Sequence, residues 1–507
     1  MALSLILLGL VVVFVFYYYG IRPMSYWKKR GAKQSTPVWW FGDNLRNVFR
    51  KETVVDLFKR IYNMEPNSRY FGFYQFNLPT LMLKDPKLLK QITVKEFDHF
   101  TDHRRIVPPY YSDPLWGRNL FSLEGQEWKT MRPILSPSFT SNKMKIMFNL
   151  MDDCAENLVN YFLKNNQDIV EVEMVNVSTR FANDVIATTA FGVKVDSLDE
   201  PNNEFYKMGA EVTDFSSLKK NLEIARAFVF PESTKYFKVK MYENPPRQFF
   251  TDLIENNLKL REEKGIMRPD MIHLLMEAKN GQNQKGENGI TNNDIIAQAL
   301  IFFFAGFESV SSLITFTAYE LALHPEIQNR LREEIVEAFQ ECKGKWNYEA
   351  LYKMKYIDMV ISECLRKWPN FPNMSRVCTK DFVIEPELPD EKPLLIEKGT
   401  LLELPIICMH YDPKYFPDPE RFDPERFSDE NKDKIDPNTY FPFGLGPRVC
   451  IGSRFALMEA KILFAHLLLS FEIVPIKKTL IPMKLSKKHF NVHPDDGVNL
   501  GLKSLRL

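Results

Sequence analysis

The chain has 507 residues and a formal net charge of +1, from 66 Lys and Arg against 65 Asp and Glu. Its 45% hydrophobic and 26% charged content excludes a wholly disordered protein, and the even charge balance argues against a nucleic-acid partner. Six cysteines, none in a C-x-x-C pair, exclude a disulfide framework and a zinc ribbon.

The first 21 residues, MALSLILLGLVVVFVFYYYGI, contain no charged side chain and would span about 30 Å as a helix, the thickness of a bilayer core. Tyrosines 17–19 end this run like an interfacial aromatic belt. The basic residues from Arg22 onward place the following chain in the cytosol by the positive-inside rule. A cleaved signal peptide is the alternative, but its basic start and small-residue cleavage site are missing or weak. We therefore predict an uncleaved transmembrane signal anchor over residues 1–21.

The rest of the chain is predicted to be one folded unit, because no Gly/Ser-rich or Pro-rich segment divides it. Residues 22–50 are interpreted as a linker or hinge, and residues 51–507 as a single domain. If that domain is cytosolic, the two Asn-x-Ser sequons at Asn176 and Asn373 carry no glycan.

Helical periodicity dominates the domain, and strand patterns are short. Apolar spacing predicts helices over residues 143–164, 177–191, 249–263, 324–339, 354–367 and 454–470. Strands are predicted over residues 69–76, 80–83, 382–384 and 399–404. Two segments are predicted to be loops: polar residues 279–293, and apolar residues 225–231, which either dip into a membrane or pack against the protein. The fold class is therefore mainly α with a small β lobe.

The longest predicted helix begins at a capping pair, Thr291 with Asp294, and runs to about Leu323. It is apolar on nearly every face, which is typical of a membrane span or of a helix through a protein core. Glu308 in its middle favours the core, because a charged residue at mid-bilayer is costly. A buried Glu is also costly in a core unless it is paired or protonated. Glu308 is therefore a functional candidate.

A second candidate is the segment FPFGLGPRVCIG, residues 441–452, which directly precedes a predicted helix. Gly444 and Gly446 permit a tight loop. Cys450 falls at the helix N-terminus, where we expect free N–H groups to lower its pKa. Gly452 lets a flat ligand approach the backbone, and Arg448 could meet a carboxylate on it. This arrangement suits a thiolate ligand to haem iron that promotes O–O cleavage.

At this point the sequence resembles the cytochrome P-450 haem-thiolate monooxygenases, over essentially the whole chain. Residues 363–366, E-C-L-R, resemble the E-x-x-R pair of that family, an i,i+3 pair on one helix face. The resemblance implies that Glu363 and Arg366 are buried together and held by an Arg from a P-E-R-F segment. The chain has two such segments, and the position favours Arg426 of the second.

The same resemblance implies haem b, with its iron bound by Cys450. Residues 128–132, W-K-T-M-R, resemble a W-x-x-x-R motif whose Trp128 and Arg132 reach a haem propionate. Arg376, after the E-x-x-R helix, would do likewise. The predicted cofactor-binding residues are Cys450, Trp128, Arg132, Arg376, Arg448, Phe443, Gly446 and Gly452.

Residues 305–309, A-G-F-E-S, resemble the family pattern A-G-x-[D/E]-T. The resemblance implies that Ala305 and Gly306 leave room for dioxygen, while Glu308 and Ser309 relay protons. Ser309 replaces the usual Thr and lacks the methyl group that fixes its rotamer, so we expect a looser relay. The chain has 40 phenylalanines. Those predicted to line the substrate pocket are Phe302, Phe303, Phe307 and Phe371.

The finer resemblance, carried by residues 136–144 and 444–459, is to insect microsomal members allied to vertebrate drug oxidisers. It implies oxidation of lipophilic foreign compounds in the endoplasmic reticulum membrane, with O2 and with electrons from NADPH–cytochrome reductase, and cytochrome b5 as a further partner. Lys129, Arg448 and Arg454 are candidate docking contacts, although Lys129 also suits plain solvated surface.

Other interpretations remain open at this stage. Relatives in the family oxidise hormones or lipids, and a haem-thiolate isomerase or dehydratase would need no reductase. A non-catalytic haem-binding membrane protein with two spans is a third possibility. His99 and His103 have i,i+4 spacing suited to a metal, but polar surface residues are the favoured interpretation because no third ligand accompanies them.

Overall fold

The computed structural model describes residues 2–105, 113–165, 167–214, 216–268, 270–284 and 290–505. The α-helices in these residues are α1 (Ala2–Val15), α2 (Tyr26–Lys29), α3 (Leu45–Val48), α4 (Val54–Tyr62), α5 (Pro86–Lys90), α6 (Pro114–Gly117), α7 (Gly125–Leu135), α8 (Ser141–Leu163), α9 (Met174–Ile186), α10 (Glu204–Thr213), α11 (Leu218–Val229), α12 (Pro246–Lys264), α13 (Met271–Gln284), α14 (Asn292–Leu323), α15 (Pro325–Glu341), α16 (Tyr348–Lys353), α17 (Lys355–Lys367), α18 (Ile406–His410) and α19 (Ser453–Ser470). The strands are β1 (Tyr70–Gln75), β2 (Leu78–Leu83), β3 (Ile169–Glu173), β4 (Met374–Val377), β5 (Phe382–Ile384), β6 (Leu394–Ile396), β7 (Leu401–Leu404), β8 (Phe471–Pro475) and β9 (Asn499–Ser504). The predicted fold class, mainly α with a small β lobe, is confirmed.

All six helices predicted from apolar spacing are present, as α8, α9 with the helical residues that follow it, α12, α15, α17 and α19. The predicted loop at residues 225–231 is wrong for most of its length, because α11 continues to Val229. Part of the predicted loop at 279–293 belongs to α13, and residues 285–289 lie outside the described residues.

The strands form three small sheets, and the largest has the order β1-β2-β7-β4. β2 and β7 run parallel, whereas β4 is antiparallel to β7, so that Arg376 lies opposite Leu402. A second sheet has the order β3-β9-β8 and joins the middle of the chain to its C-terminal part. The β lobe therefore holds Arg376 on a fixed strand beside the helical body.

Helix α14 runs through the core. The predicted cap is confirmed: Thr291 Oγ1 accepts a hydrogen bond from the Asp294 N–H at 3.2 Å, and Asp294 Oδ2 accepts one from the Thr291 N–H at 2.9 Å. The helix packs against α9, α17, α12 and α19. It is long and apolar enough for a membrane span, but two-thirds of its most apolar window is buried. This burial favours the core helix over a second span.

The N-terminal segment Leu3–Lys29 is the other helix that is long and apolar enough to cross a membrane. Its residues are largely exposed, as expected for a segment that faces lipid. The chain after it does not form a free linker. Trp27 is fully buried, and Ser35 and Lys33 exchange backbone hydrogen bonds of 2.9 Å with Gly72 on β1. This part of the predicted hinge is packed onto the first sheet.

Candidate functional site

The cysteine loop, residues 441–452, has a backbone that only glycine can form at two positions. Gly446 has φ +70°, and a Cβ there would lie 1.9 Å from the Thr93 carbonyl oxygen. Gly444 has φ +85° and is also closely packed. The Cys450 N–H donates to the Phe443 carbonyl at 2.9 Å and closes the loop. The loop therefore presents Cys450 in a defined position just before α19.

Cys450 is an exposed residue, although protein surrounds its thiol on most sides. Burial raises the pKa of the Cys450 thiol, while a hydrogen bond from the Gly452 N–H and the charge of Arg132 act in the opposite direction. The sequence predicted a lowered pKa from the helix N-terminus. The structure corrects this, because desolvation outweighs the N–H groups. Arg132 also donates to the Val449 carbonyl at 2.9 Å.

Helix α14 opens one face towards the interior. Ala305 is exposed in the middle of the helix, and Glu308 and Ser309 are half-buried. The Ser309 hydroxyl donates to the Ala305 carbonyl at 2.5 Å. A Cβ on Gly306 would lie 2.8 Å from Ile186, so the glycine lets α14 and α9 approach closely. Ala305 thus leaves space on one side of α14, and Gly306 permits close contact with α9 on the other side.

Phe302 joins this face to the cysteine loop. Its ring lies 5.6 Å from that of Phe139, and a Cβ on Gly452 would be 3.8 Å from Phe139. The open face of α14 and the start of α19 therefore border one apolar region, with Phe139 between them. Sequence patterns did not single out Phe139, since a lone aromatic residue carries no signal.

Two of the predicted pocket residues lie elsewhere. Phe303 is fully buried among Phe191, Phe205 and Phe250, and Phe307 stacks on Phe303 at 5.4 Å. The prediction that these two line the pocket is corrected, because they face the aromatic core. Phe371 is 42% exposed and stacks on Phe490 at 6.4 Å. It therefore lies at an open edge.

Arg376 has a buried nitrogen without a hydrogen-bond acceptor. Its Nη1 donates to the Ser375 carbonyl at 3.0 Å and its Nη2 to the Leu445 carbonyl at 3.1 Å, whereas its Nε has no partner among the described residues. His103, which sequence reasoning treated as a surface residue, is buried, with Nδ1 3.0 Å from Arg376 Nη1. Burial holds the pKa of His103 well below its usual value. His99 is half-buried, and its ring lies 5.6 Å from that of Phe382.

Arg448 does not point freely into a ligand space. Its guanidinium lies 4.2 Å above the Trp128 ring and donates to backbone carbonyls, including that of Thr101 at 2.7 Å and that of Leu123 at 2.8 Å. Burial lowers the pKa of Arg448 to about 9. The side chain is 2% exposed, so the prediction that Arg448 forms a docking contact is wrong. Its geometry supports instead a role in holding the loop.

The E-x-x-R residues form a closed charge cluster. Arg366 donates to Glu363 through two nitrogens, at 2.7 Å and 2.8 Å, and both side chains are fully buried. Arg426 Nε lies 3.5 Å from Glu363 Oε1, whereas the Arg421 side chain of the first repeat is 67% exposed. The geometry thus brings together the three residues that the sequence selected.

The surface near the cysteine loop carries exposed basic groups. Lys129 pairs with Asp98 at 2.6 Å, and Arg454 is exposed. A separate surface groove of about 880 Å³ is lined in part by Lys87, Lys90 and Lys95, and none of the predicted site residues borders it. No cluster of His, Cys, Asp and Glu suited to a metal ion occurs within the described residues.

These residues fit a haem with a thiolate ligand. Cys450 is an exposed residue whose sulfur receives an N–H bond, the Gly446 turn keeps the backbone close, and Arg376 offers a buried donor suited to a haem carboxylate. A mainly helical fold with such a site defines the haem-thiolate class.

The sequence model of cytochrome P450 matches residues 33–498, and the chain belongs to that family. It is 43% identical to cytochrome P450 9e2 of Blattella germanica, over 97% of this chain and 96% of that protein. It is 40% identical to probable cytochrome P450 9f2 of Drosophila melanogaster, over 95% and 96%. It is also 36% identical to cytochrome P450 6k1 of Blattella germanica, over 98% and 96%.

Family membership establishes the general chemistry. The protein is an oxidoreductase of the monooxygenase type, and its cofactor is haem b held by a cysteine thiolate. Its reaction uses O2, a substrate and electrons from a redox partner. The resemblance to insect members is confirmed, since its relatives include insect proteins.

Proposed function

We propose that the protein is a membrane-anchored microsomal monooxygenase of lipophilic foreign compounds, such as plant toxins and insecticides. The reaction is R–H + O2 + 2 e⁻ + 2 H⁺ → R–OH + H2O, with the electrons from NADPH through NADPH–cytochrome reductase and cytochrome b5 as an auxiliary donor. The observation that carries the proposal is the accessible Cys450, joined through Phe139 to the open face of α14.

The haem would be held by Cys450, with Arg376 Nε towards one of its carboxylates. When bound, it supplies the activation of dioxygen. The Gly452 N–H and the Arg132 charge favour the thiolate over the thiol and so offset part of the cost of burial. The Gly446 turn keeps the loop in place, because any side chain there would strike the Thr93 carbonyl.

Glu308 and Ser309 are proposed to move protons on the side of the site that α14 forms, away from the cysteine loop. The Ser309 hydroxyl donates to the Ala305 carbonyl, so it must rotate about its Cα–Cβ bond to donate to a ligand. A Ser rotates more freely than the β-branched Thr of the family pattern. We expect a larger share of the electrons to end in hydrogen peroxide, and Ser309→Thr to reduce that share.

Exposed apolar residues support membrane attachment beyond the first helix. Trp39, Phe49 and Phe230 are between 38% and 59% exposed, and the ring of Trp40 lies 6.1 Å from that of Phe230. This contact joins the chain after the anchor to the end of α11. An apolar patch next to an anchor helix suits the headgroup region and an entrance for lipophilic substrates.

The topology has a simple test, because Asn176 is the more exposed of the two sequon asparagines. Asn176 is exposed, whereas the Asn373 amide donates to the buried Glu403 at 2.6 Å. A cytosolic domain leaves Asn176 unmodified, so glycosidase treatment of the protein from insect cell microsomes should not change its mass. A mass shift that Asn176→Gln abolishes would contradict the proposed topology.

The activity is tested in two stages with the full chain. The first is the reduced, carbon monoxide-bound spectrum of wild type and Cys450→Ala; we expect a strongly red-shifted Soret band that the variant lacks. The second is reconstitution in lipid vesicles with reductase, NADPH and a panel of lipophilic toxins and hormones. Product formation that needs both NADPH and reductase supports a monooxygenase. Turnover of organic hydroperoxides without them would favour an isomerase or dehydratase, and oxidation of hormones alone would overturn the foreign-compound role.

A further inference from the structure

The C-terminal segment 484–495 forms a short hairpin beside the site. Leu485 pairs with Pro494 across it, and the Ser486 N–H donates to the His493 carbonyl at 2.8 Å. These backbone contacts close the hairpin, whose tip is residues 487–492. No sequence pattern had pointed to this segment.

Consecutive residues of the tip contact the site. Asn491, which is 4% exposed, donates from Nδ2 to Glu308 Oε1 at 3.2 Å. The Val492 N–H donates to the Asn370 carbonyl at 3.0 Å, which ties the tip to the chain that follows α17. The backbone therefore places the Asn491 amide against the carboxylate proposed to deliver protons.

The partner of Glu308 is neutral. Within the described residues, Glu308 forms no ion pair, and its carboxylate accepts its hydrogen bond from Asn491. The hairpin also carries two histidines, His489 and His493, whose rings stack at 4.1 Å. Burial lowers the pKa of His489 to about 4, so this ring carries no charge at neutral pH. The charged groups that act on His489 are Asp214, Lys488 and Asp495.

A neutral donor and a cationic donor have different consequences for a carboxylate. An adjacent Lys or Arg lowers a carboxyl pKa by about 1–3 units and makes the group a poor proton carrier near neutral pH. An amide restricts the orientation of the carboxylate but competes only weakly with a proton, because a neutral hydrogen bond contributes modestly. A carboxylate that relays protons needs a defined position, and it must be able both to gain and to lose a proton.

The geometry points to Asn491 as a positioning residue: its amide holds the Glu308 carboxylate in place for proton delivery without fixing its charge. This inference rests on the proposed role of Glu308 and adds a residue from a different part of the chain. Asn491 acts through Glu308 and is not itself a proton carrier, since an amide does not titrate.

The test compares Asn491→Ala, Asn491→Gln and Glu308→Gln in the reconstituted full-length enzyme. The readout is the fraction of NADPH electrons recovered as hydrogen peroxide. We expect Asn491→Ala to raise that fraction about 3- to 10-fold. Asn491→Gln should raise it less, because it retains an amide donor. The double variant Asn491→Ala/Glu308→Gln should give the same fraction as Glu308→Gln alone. Lys488→Ala, an exposed change on the same hairpin, is the matched control and should leave it unchanged.

A second readout does not depend on turnover. In a double-mutant cycle of Asn491→Ala with Glu308→Ala, the unfolding equilibrium constants should be coupled by about 2- to 10-fold, the effect of one hydrogen bond. Additive effects in both experiments would overturn the inference. If Glu308→Gln leaves the peroxide fraction unchanged, the proton-relay role itself fails. If Glu308→Gln raises it and Asn491→Ala does not, only the positioning role fails.

Discussion

The duplicated D-P-E-R-F sequence offers a matched pair of substitutions that tests the buried charge cluster. Arg426 lies in the second copy, with a 12% exposed side chain 3.5 Å from Glu363, and its Nη2 donates to the Asp418 carbonyl at 2.8 Å. Arg421 occupies the same position in the first copy, but its side chain is 67% exposed. Arg426→Met and Arg421→Met therefore remove the same group from two different environments.

The expected magnitude follows from what each substitution leaves behind. Arg426→Met leaves Glu363 still paired with Arg366. It should therefore lower the free energy of unfolding by about 1–3 kcal/mol, the contribution of hydrogen bonds to a charged group. Breaking a buried ion pair would lower it by more, about 3–5 kcal/mol. Glu363→Gln should reach the larger value, because the buried Arg366 guanidinium then lacks the carboxylate that balances its charge. Arg421→Met should stay within about 0.5 kcal/mol. The Arg421 backbone carbonyl, which accepts a hydrogen bond from Arg366 at 3.3 Å, is unchanged by it.

The assay is thermal unfolding of the detergent-solubilised full chain at one fixed scan rate, since large proteins often unfold irreversibly. We expect Arg426→Met to lower the midpoint by about 1–3 °C and Arg421→Met by less than about 0.5 °C. Equal shifts for the two variants would refute the reasoning. They would mean that the Arg426 side chain, which faces Glu363, contributes no more to stability than the solvated side chain of Arg421.

Gly446→Ala forces a methyl group against the Thr93 carbonyl at a positive φ. The haem content per protein, measured as pyridine haemochromogen, should therefore fall several-fold. Unchanged haem content would contradict the steric argument. Burial raises the pKa of Glu403 from 4.5 to about 7. Between these two pH values the folded state retains a proton that the unfolded state has lost. The free energy of unfolding therefore falls by about 3 kcal/mol as the pH rises from 4.5 through 7. Urea unfolding at pH 5 and pH 7.5 should show this loss, and Glu403→Gln should remove most of it. Phe303→Ala should destabilise by about 3–5 kcal/mol in the same urea assay, because it leaves a cavity in the aromatic core. Phe302→Ala should instead alter substrate-induced spectral shifts with little change in stability, and the reverse pattern would show that the two faces of α14 are assigned incorrectly.

Part of the site follows from local sequence because its parts are close in the chain. The glycines and the cysteine of residues 441–452 lie within one turn, and their spacing alone determines which backbone is possible. Glu363 and Arg366 are one helical turn apart, so any helix brings them together. Thr291 and Asp294 form the predicted cap for the same reason.

The face of α14 was not predictable in the same way. A helix that is apolar on nearly every side has no hydrophobic asymmetry, so its sequence does not indicate which phenylalanines face a pocket. The packing of α9, α10 and α12 against α14 decides it: Phe303 enters the aromatic core, and Phe302 turns towards Phe139.

By itself the sequence determined the helical class, the family and the cysteine loop, and it predicted the anchor segment, since each depends on residue type and short spacing. The tertiary structure decided the contacts between distant residues. Asn491 and Glu308 are 183 positions apart, His103 and Arg376 are 273 apart, and Arg448 and Thr101 are 347 apart. The direction of a buried charged or polar side chain depends on which distant backbone and side-chain groups can satisfy it. Those partners are brought together only when the whole chain has packed.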